Sequence, residues 1–272
     1  MNAYLLNECL KTAAAAARLA GDIIVKNLGR LSGSDIQTKQ AFDFVTNVDR
    51  WSEAVIIKTI REKFPSHLFL TEETLQQEGP ATSYRWIIDP LDGTTNFIHG
   101  FPIFSVSLGL EHKGEIILGV VFDPLRDELF HAIKGKGAFL NNARIKVSET
   151  GMLEKSLIAT GFPFRKKELI DQYLRAFKKI FAHVSDIRRA GSAAIDLAYI
   201  AAGRTEGFFE LNLSPWDIAA GSLLISEAGG VITDFAGGGQ YLLTGNVVAG
   251  NREVHAELFS VIRQVFQGVV ER

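Results

Sequence analysis

The stretch "RWIIDPLDGTTNFIHGFP", residues 85–102, joins a buried strand to an acidic turn. Its apolar run, residues 86–88, leads directly into Asp89, and Asp92 follows three residues later. Pro90 stands between the two acids, where its ring fixes φ and removes a hydrogen-bond donor. The pattern therefore predicts a strand that gives way to a rigid turn at Asp89, with two carboxylates held at a set spacing.

Other acids also stand where predicted elements end, rather than on helix faces. Glu72 and Glu73 follow the strand candidate "HLFLT", and Asp217 lies just behind Pro215 at a predicted helix start. An Asp-x-x-Asp pair by itself is more typical of a structural turn than of a functional site. The residues "GTT" after Asp92 favour a site, because glycine permits a tight turn and the threonines offer hydroxyl and N–H groups.

The chemistry of such acids follows from charge repulsion. Two carboxylates about 4 Å apart repel by roughly 4 kcal/mol at an effective dielectric constant of about 20, so converging acids require cations or protons. All-oxygen donors favour a hard cation, and Mg²⁺ commonly joins a few carboxylates to a substrate phosphate. Zinc is disfavoured, because Cys9 is the only cysteine and the six histidines are dispersed. Carboxylates, hydroxyls and helix-start amides together suit the hydrolysis of a phosphate ester.

The composition excludes several function classes. With 272 residues, 47% hydrophobic and 22% charged, the chain resembles an ordinary soluble globular protein. A net charge of −2 and the lack of a base-contact motif or basic stripe argue against direct nucleic-acid binding. No apolar run reaches the roughly 18 residues of a membrane span, so no membrane partner is expected. The single cysteine indicates a reducing compartment, which predicts a cytoplasmic protein.

Strand and helix patterns alternate along the chain. We expect a helix over residues 4–28, a polar loop from 31 to 44, and a helix whose start is signalled by Thr46 and Asp49. Alternating apolar residues predict an antiparallel meander over 103–147. The second half continues with strands and helices. Its basic residues are interpreted structurally. Residues 165–167 are read as solvated helix charge, and residues 188–189 as an interface or salt-bridge pair in preference to a phosphate site.

Several of these segments resemble one known family. "WIIDPLDGTTNFIHGFP" and "PWDIAAGSLLISEAGG" closely resemble the two signature segments of the inositol monophosphatase family. "DFVTNVD", the "EE" at Glu72 and Glu73, and "RRAGSAAIDLAYIAAGRTEGFFE" match further family segments. The resemblance runs from about residue 5 to 268, with the motifs in the family's order.

The resemblance implies an α/β fold, the five-layered α/β/α/β/α sandwich of the inositol monophosphatase and fructose-1,6-bisphosphatase type, usually as a homodimer. Residues 1–272 would form a single phosphatase unit, with an α+β half of about residues 1–150 and an α/β half of about 151–272. Lys39 would lie in a mobile loop near the metals.

The same resemblance implies a ligand set for two to three Mg²⁺ ions. The first ion would be held by Glu72, Asp89 and the Leu91 carbonyl, and the second by Asp89, Asp92 and Asp217. A weaker third ion would lie by Glu72 through water, with Glu73 close.

The implied mechanism is an in-line attack on phosphorus by a metal-activated water, with no covalent intermediate. Glu72 and Thr94 would act on this water, and Asp49 would hydrogen-bond Thr94. The implied substrate-binding residues are Glu72, Asp92, Gly93, Thr94, Thr95, Gly191, Ser192, Ala193, Glu210 and Asp217. Within that set, residues 93–95 would bind the phosphate, and Gly191 to Ala193 with Glu210 would contact inositol hydroxyls.

The leading hypothesis is a Li⁺-sensitive hydrolase of inositol monophosphate, a small phosphorylated polyol. Fructose 1,6-bisphosphate and histidinol phosphate stay open as substrates. Adenosine bisphosphates are disfavoured, because that branch tends to carry "GTKEF" where this chain has "GTTNF". A different class of function also stays open, since the bacterial branch that the chain resembles includes members tied to RNA synthesis. A partner in a transcription complex is therefore a second hypothesis.

Overall fold

The computed structural model describes residues 3–40, 43–74, 76–77, 79–80 and 83–269. The strands within these ranges are β1 (Ile36–Gln40), β2 (Asp43–Thr46), β3 (Leu68–Thr71), β4 (Tyr84–Asp92), β5 (Ser105–His112), β6 (Glu115–Asp123), β7 (Glu128–Ile133), β8 (Gly137–Leu140), β9 (Ala143–Ile145), β10 (Leu157–Thr160), β11 (Asp186–Arg188), β12 (Gly207–Glu210), β13 (Val231–Thr233) and β14 (Val247–Gly250). The α-helices are α1 (Ala3–Asn27), α2 (Asn47–Lys63), α3 (Thr94–Ile98), α4 (Ile170–Phe181), α5 (Ala193–Ala201), α6 (Pro215–Glu227), α7 (Tyr241–Thr244) and α8 (Arg252–Phe266).

A seven-stranded sheet forms from β3 to β9 in chain order. Strands β3 and β4 are parallel, and every later neighbour pair in this sheet is antiparallel. The meander predicted over residues 103–147 is therefore confirmed. Helices α1 and α2 pack together and cover one face. The alanine-rich helix α1 buries its small side chains against this sheet, including Ala13, Ala16, Ala17 and Ala20.

A second sheet of five strands has the order β11-β10-β12-β14-β13. Strand β10 runs parallel to β11 and β12, whereas β14 is antiparallel to β12 and β13. Helices α4 and α8 pack against each other on the outer side, with α8 on the sheet. Helices α5 and α6 lie between the two sheets and contact both. The layers are thus helix, sheet, helix, sheet, helix, which confirms the predicted five-layered sandwich.

Two paired glycines bring α6 unusually close to the large sheet. Gly109 on β5 lies opposite Gly119 on β6. A Cβ at Gly109 would lie 2.8 Å from the Ala219 side chain, and one at Gly119 would lie 2.7 Å from the Ala220 carbonyl oxygen. Because neither glycine has a side chain, the α6 backbone settles directly on the strands. This close contact sets the distance between α6 and the seven-stranded sheet, and therefore the position of Asp217 in the first turn of α6.

Parts of the sequence interpretation are wrong or incomplete. The polar loop expected over residues 31–44 contains a 3₁₀ turn at 33–35, strand β1 and most of β2, and the two strands form an antiparallel hairpin. The sequence analysis predicts neither of the short elements β13 and α7. The side chain of Lys39 lies outside the described part of the structure. Among the described helices, none combines the length and apolar content needed to cross a lipid bilayer.

Substituting Gly119 by alanine tests the close approach of α6. The new methyl group would meet the Ala220 backbone, which cannot move aside without shifting the helix. We expect Gly119→Ala to lower the free energy of unfolding by about 1–3 kcal/mol, measured by chemical denaturation. Gly239→Ala is the matched control, because a Cβ there meets nothing within 4 Å. Equal stability of the two variants would contradict this account of the layer spacing.

Candidate active site

Strand β4 carries both aspartates of the opening motif. The strand continues through Pro90 to Asp92 instead of ending at Asp89 as the sequence predicted. Its register with β5 shifts between Asp89, opposite Ser107, and Asp92, opposite Ser105, which marks a β-bulge. Side chains three residues apart in a regular strand point to opposite faces. The extra residue of the bulge lets both carboxylates line one cleft, and proline is tolerated at such a site.

Gly93 turns the chain from β4 into α3. Its φ of +97° is left-handed, and a Cβ there would lie 2.9 Å from the Ile103 carbonyl oxygen. Glycine therefore fits where other residues would be strained and crowded. Helix α3 begins at Thr94, so the N–H groups of its first residues extend from the helix start beside Asp92.

Thr94 is held by a buried acid from α2. The Thr94 hydroxyl lies 2.8 Å from Asp49 Oδ1 and 3.1 Å from the Leu91 carbonyl oxygen, and its one hydrogen can bond only one of them at a time. The other Asp49 oxygen accepts bonds from the Thr46 N–H at 2.8 Å and the Thr46 hydroxyl at 2.6 Å. Burial raises the pKa of Asp49 to about 6, although these hydrogen bonds oppose the shift.

Asp217 reaches the same place from the other half of the chain. It stands at the third position of α6, where its Oδ2 accepts a 2.7 Å hydrogen bond from the Ser214 N–H. One carboxylate oxygen from each of Asp89, Asp92 and Asp217 lies within 4.8 Å of the others. Asp92 is oriented by the Ser192 hydroxyl at 2.5 Å and the Ala194 N–H at 2.8 Å.

The electrostatics of this cluster call for a cation. Burial raises the pKa of Asp92 to about 6 and that of Asp217 to about 7. The pKa of Asp89 lies well above its ordinary value, through burial and then through repulsion from Glu72 and Asp92. Three buried carboxylates converge with no lysine or arginine bonded to any of them among the described residues. Their all-oxygen donor set fits a hard divalent cation.

Glu72 lies on the turn after β3, next to the cluster but outside the 4.8 Å group. Its N–H donates a 3.2 Å hydrogen bond to the Ile88 carbonyl oxygen, which ties the turn to β4. Its charge acts on Asp49, Asp89 and Asp217. The structure therefore brings Glu72 to the acids that the sequence grouped with it.

A cleft of about 370 Å³ opens over the acids. It is lined by every metal-binding and substrate-binding residue predicted from the sequence, namely Glu72, Asp89, Leu91, Asp92, Gly93, Thr94, Thr95, Gly191, Ser192, Ala193, Glu210 and Asp217. Asp49 is absent from the lining and touches the cleft only through Thr94. Glu210 ends β12, and burial raises its pKa to about 8. A Cβ at Gly161 would overlap the Glu210 carboxylate, so glycine leaves room for that acid.

Sequence reasoning missed several residues of the cleft. Arg165 and Arg189 line it, although they were interpreted as solvated charge and as half of a structural pair. Arg188 instead bonds Asp186 on the surface. Asp196 on α5 also lines the cleft, and burial holds its pKa well above the ordinary value. The break "GFPF" before Arg165 was the available sequence signal that this residue precedes its helix.

Asn96 joins the two halves of the cleft. Its Nδ2 donates to the carbonyl oxygens of Ile103 and Ala190, each at 2.8 Å. This bond network holds α3, which follows β4, against the loop that leads to α5. The wall near residues 93–95 and the wall near 191–193 are therefore fixed relative to each other.

Comparisons with known proteins agree with this geometry. A model of the inositol monophosphatase family matches residues 5–267. The Nus factor SuhB of Escherichia coli (strain K12) is 47% identical over 267 residues, which cover 98% of this chain and 100% of that protein. The extragenic suppressor protein SuhB from Bartonella henselae superposes with a TM-score of 0.91 at 42% identity, covering 94% of this chain and 99% of that one. Inositol monophosphatase from Anabaena (Nostoc) superposes with a TM-score of 0.85 at 39% identity, and the match covers 95% of this chain and 96% of that one.

The raised pKa values predict a linkage between pH, metal and stability. Asp92 and Asp217 titrate near their ordinary value of about 4 when unfolded, so folding favours their protonated forms. Stability from this source is full below about pH 4 and is lost as pH rises through about 6 and 7, the folded pKa values. With chelator, we expect the contribution of these acids to Tm to fall between about pH 4, their unfolded pKa, and about pH 7, the higher of their folded pKa values. With Mg²⁺, the stabilisation by the ion should grow over the same window.

Thermal melts of wild type and Asp217→Asn at each pH measure the contribution of Asp217 as the difference between their Tm values. Taking this difference removes the pH dependence of the rest of the protein. With chelator, wild type should lose stability relative to the variant as pH rises. With Mg²⁺, wild type should gain stability relative to the variant as pH rises. A difference between the two proteins that does not change with pH in either condition would refute the linkage.

Proposed function

This chain belongs to the inositol monophosphatase family, and on that premise we propose that it hydrolyses inositol monophosphate to inositol and inorganic phosphate with Mg²⁺ as its cofactor. The observation that carries the proposal is the convergence of Asp89, Asp92 and Asp217 beside Thr94 and the start of α3. The walls of the cleft come from both sheets and from α5 and α6. We therefore propose that the chain works as a single phosphatase unit.

The acids are proposed to hold two to three Mg²⁺ ions. Glu72, Asp89 and the Leu91 carbonyl would hold one, and Asp89, Asp92 and Asp217 a second; Glu72 with Glu73 close by would serve a third. Bound Mg²⁺ would neutralise this charge, lower the pKa of a coordinated water and stabilise the attacking and leaving oxygens. Leu91 is fully buried and its side chain packs in the core, so its carbonyl is the group it contributes.

Thr94 and Asp49 are proposed to position the attacking water. When the Thr94 hydroxyl donates to Asp49, its lone pairs stay available to accept a hydrogen from water in the cleft. Asp49, with a pKa of about 6, is poised to take up a proton relayed through Thr94 near neutral pH. Glu72 would accept the second hydrogen of the same water, which leaves the oxygen lone pair directed at phosphorus.

The phosphate and alcohol halves of the substrate would bind on opposite sides of the acids. The N–H groups of residues 93–95, at the start of α3, suit phosphate oxygens. Gly191 to Ala193, together with Glu210, suit the hydroxyls of a polyol, and Asp196 adds another carboxyl on this side. In-line attack would form the bond from the water oxygen to phosphorus and break the bond from phosphorus to the alcohol oxygen. The alcohol oxygen would take a proton from cleft water and leave as the free hydroxyl, and the proton that Asp49 took from the attacking water would return to solvent and restore the balance.

Phosphate release tests the proposal directly. Purified protein should release phosphate from inositol 1-phosphate with Mg²⁺, lose this activity with chelator, and be inhibited by Li⁺. Asp92→Asn should lower kcat by more than the roughly 10- to 100-fold expected for losing an outer partner of a metal ligand. Asp171→Asn, an exposed acid on α4, is the matched control and should keep full activity.

A substrate panel separates the open alternatives. Fructose 1,6-bisphosphate and histidinol phosphate are compared with inositol 1-phosphate by kcat/KM. A higher kcat/KM for either compound would identify it as the preferred substrate in place of inositol 1-phosphate, and the proposed mechanism would still apply. No phosphate release from any of the three would overturn the hydrolase proposal. The family resemblance also leads us to propose a homodimer, which is a separate question from the choice of substrate.

We propose a role in transcription as a second function, supported by the 47% identity to a protein named as a Nus factor. Such a role would use the surface of the fold and need no intact metal site. Transcription elongation complexes from the host should then retain both wild type and Asp92→Asn in a pull-down. Loss of binding in Asp92→Asn alone would tie the partner to the cleft instead. No binding of either protein would refute the second function.

A further inference from the structure

Helix α2 carries two buried acids one turn apart. Asp49 is 0% exposed and Glu53 is 1% exposed. Residues four apart lie on the same helix face, about 6 Å from each other along the axis. Both acids therefore face the same side of α2, which is the side that packs toward the cleft walls.

Each of these acids holds a different part of the candidate site. Asp49 accepts the hydrogen bond of the Thr94 hydroxyl. Glu53 Oε2 accepts the Glu73 N–H at 2.9 Å, and Glu53 Oε1 accepts a short hydrogen bond from the Thr74 hydroxyl. Thr94 and Glu72 are the two groups proposed to position the attacking water. Helix α2 therefore bonds Thr94 directly and bonds the two residues that follow Glu72.

The turn that bears Glu72 is tied down on both sides. On one side, the Glu72 N–H bonds the Ile88 carbonyl oxygen on β4 at 3.2 Å. On the other side, the next two residues bond Glu53. Removing the second tie would take away two hydrogen bonds from residues 73 and 74, which directly follow Glu72. We expect the turn to shift as a result, and a small shift of the Glu72 carboxylate is more than a metal site tolerates.

A purely structural role explains Glu53 poorly. Among the described residues, its carboxylate forms no ion pair with a lysine or arginine. A buried charge costs several kcal/mol unless it is paired, and an apolar residue would fill the same space without that cost. The hydrogen bonds to residues 73 and 74 are the interactions that only an acceptor at this position can make.

We propose that Glu53 is a positioning residue that fixes Glu72, and that α2 sets the separation between Glu72 and Thr94 through Glu53 and Asp49. The inference rests on the proposed function for its catalytic consequence, but its consequence for metal binding does not depend on the substrate. Glu53 touches neither the metal site nor the substrate, and acts through the backbone of the turn.

Two variants test this role. Glu53→Gln keeps the size of the side chain but weakens its acceptor strength, and Thr74→Val removes only the hydroxyl donor at an exposed position. Titration calorimetry with Mg²⁺ should show affinity lowered by about 10- to 100-fold in Glu53→Gln and less in Thr74→Val. The double variant should lose less than the sum of the two, because both changes break the same interaction. Glu62→Gln, an exposed acid farther along α2, is the control and should bind Mg²⁺ as wild type does.

Steady-state kinetics add a readout that a merely structural role would not move. Glu53→Gln should lower kcat by about 10- to 100-fold at saturating Mg²⁺ with KM for inositol 1-phosphate nearly unchanged, because residues 93–95 and 191–193 still bind the substrate. A lowered Tm with wild-type Mg²⁺ affinity and kcat would overturn the inference. If wild type binds Mg²⁺ but hydrolyses none of the substrates, the proposed function fails, while the calorimetric comparison still decides the role of Glu53.

Discussion

Mutual repulsion among buried carboxylates is the constraint on which the rest of the site depends. Asp89 and Asp92 lie on β4 and Asp217 lies in the first turn of α6, yet one oxygen from each lies within 4.8 Å of the others. At that separation, each charged pair costs several kcal/mol in a protein interior. The fold therefore holds an arrangement that is unfavourable until a cation is present. The glycine pair of β5 and β6, the bulge of β4 and the N-terminus of α6 all serve to keep the acids together despite this cost.

Two acids of the site, Asp49 and Asp217, are held in place by hydrogen bonds at the starts of their helices. Asp49 and Asp217 each stand at the third position of a helix, where one carboxylate oxygen accepts the N–H of the capping residue. The other oxygen of Asp49 accepts the hydrogen bond of the Thr94 hydroxyl, and Asp217 also contributes an oxygen to the acidic cluster. A helix start is a rigid place for a carboxylate, because the backbone and the side chain restrain each other. The same local motif thus stabilises a helix and orients a functional group.

The site is assembled from elements that are distant in the chain. Helix α2 contributes Asp49 and Glu53, the β4–α3 junction contributes the phosphate side, and β12 with α5 contributes the alcohol side. Asn96 ties these walls together by bonding two backbone carbonyls. Because no single segment contains the site, a shift of one layer changes the distances between all of its groups. A rigid sandwich with a middle helix layer suits this requirement.

Local patterns in the sequence predicted many of the strands, most helices and four acids of the cleft, Glu72, Asp89, Asp92 and Asp217. The capping signal at Thr46, the meander over residues 103–147 and the acidic ends of elements depend on neighbouring residues, which a linear pattern records. The hairpin β1–β2 escaped prediction, because its two short strands lack the regular alternation of apolar and polar residues that marks a half-buried strand. The extension of β4 through Pro90 escaped it as well, since a bulge is defined only by the partner strand.

Only the tertiary structure decided which polar residues serve the site. Arg189 and Asp196 have ordinary sequence surroundings, and the break before Arg165 indicates only that this residue precedes its helix. All three line the cleft in the folded chain. Helical spacing places Glu53 on the apolar face of α2 with Ile56 and Ile60, but only the folded chain shows that its carboxylate accepts hydrogen bonds from residues 73 and 74. The sequence alone determined that acids stand at the ends of elements. Their convergence, and the burial that raises their pKa values, arise only when the layers pack, because burial and distance are properties of the folded chain.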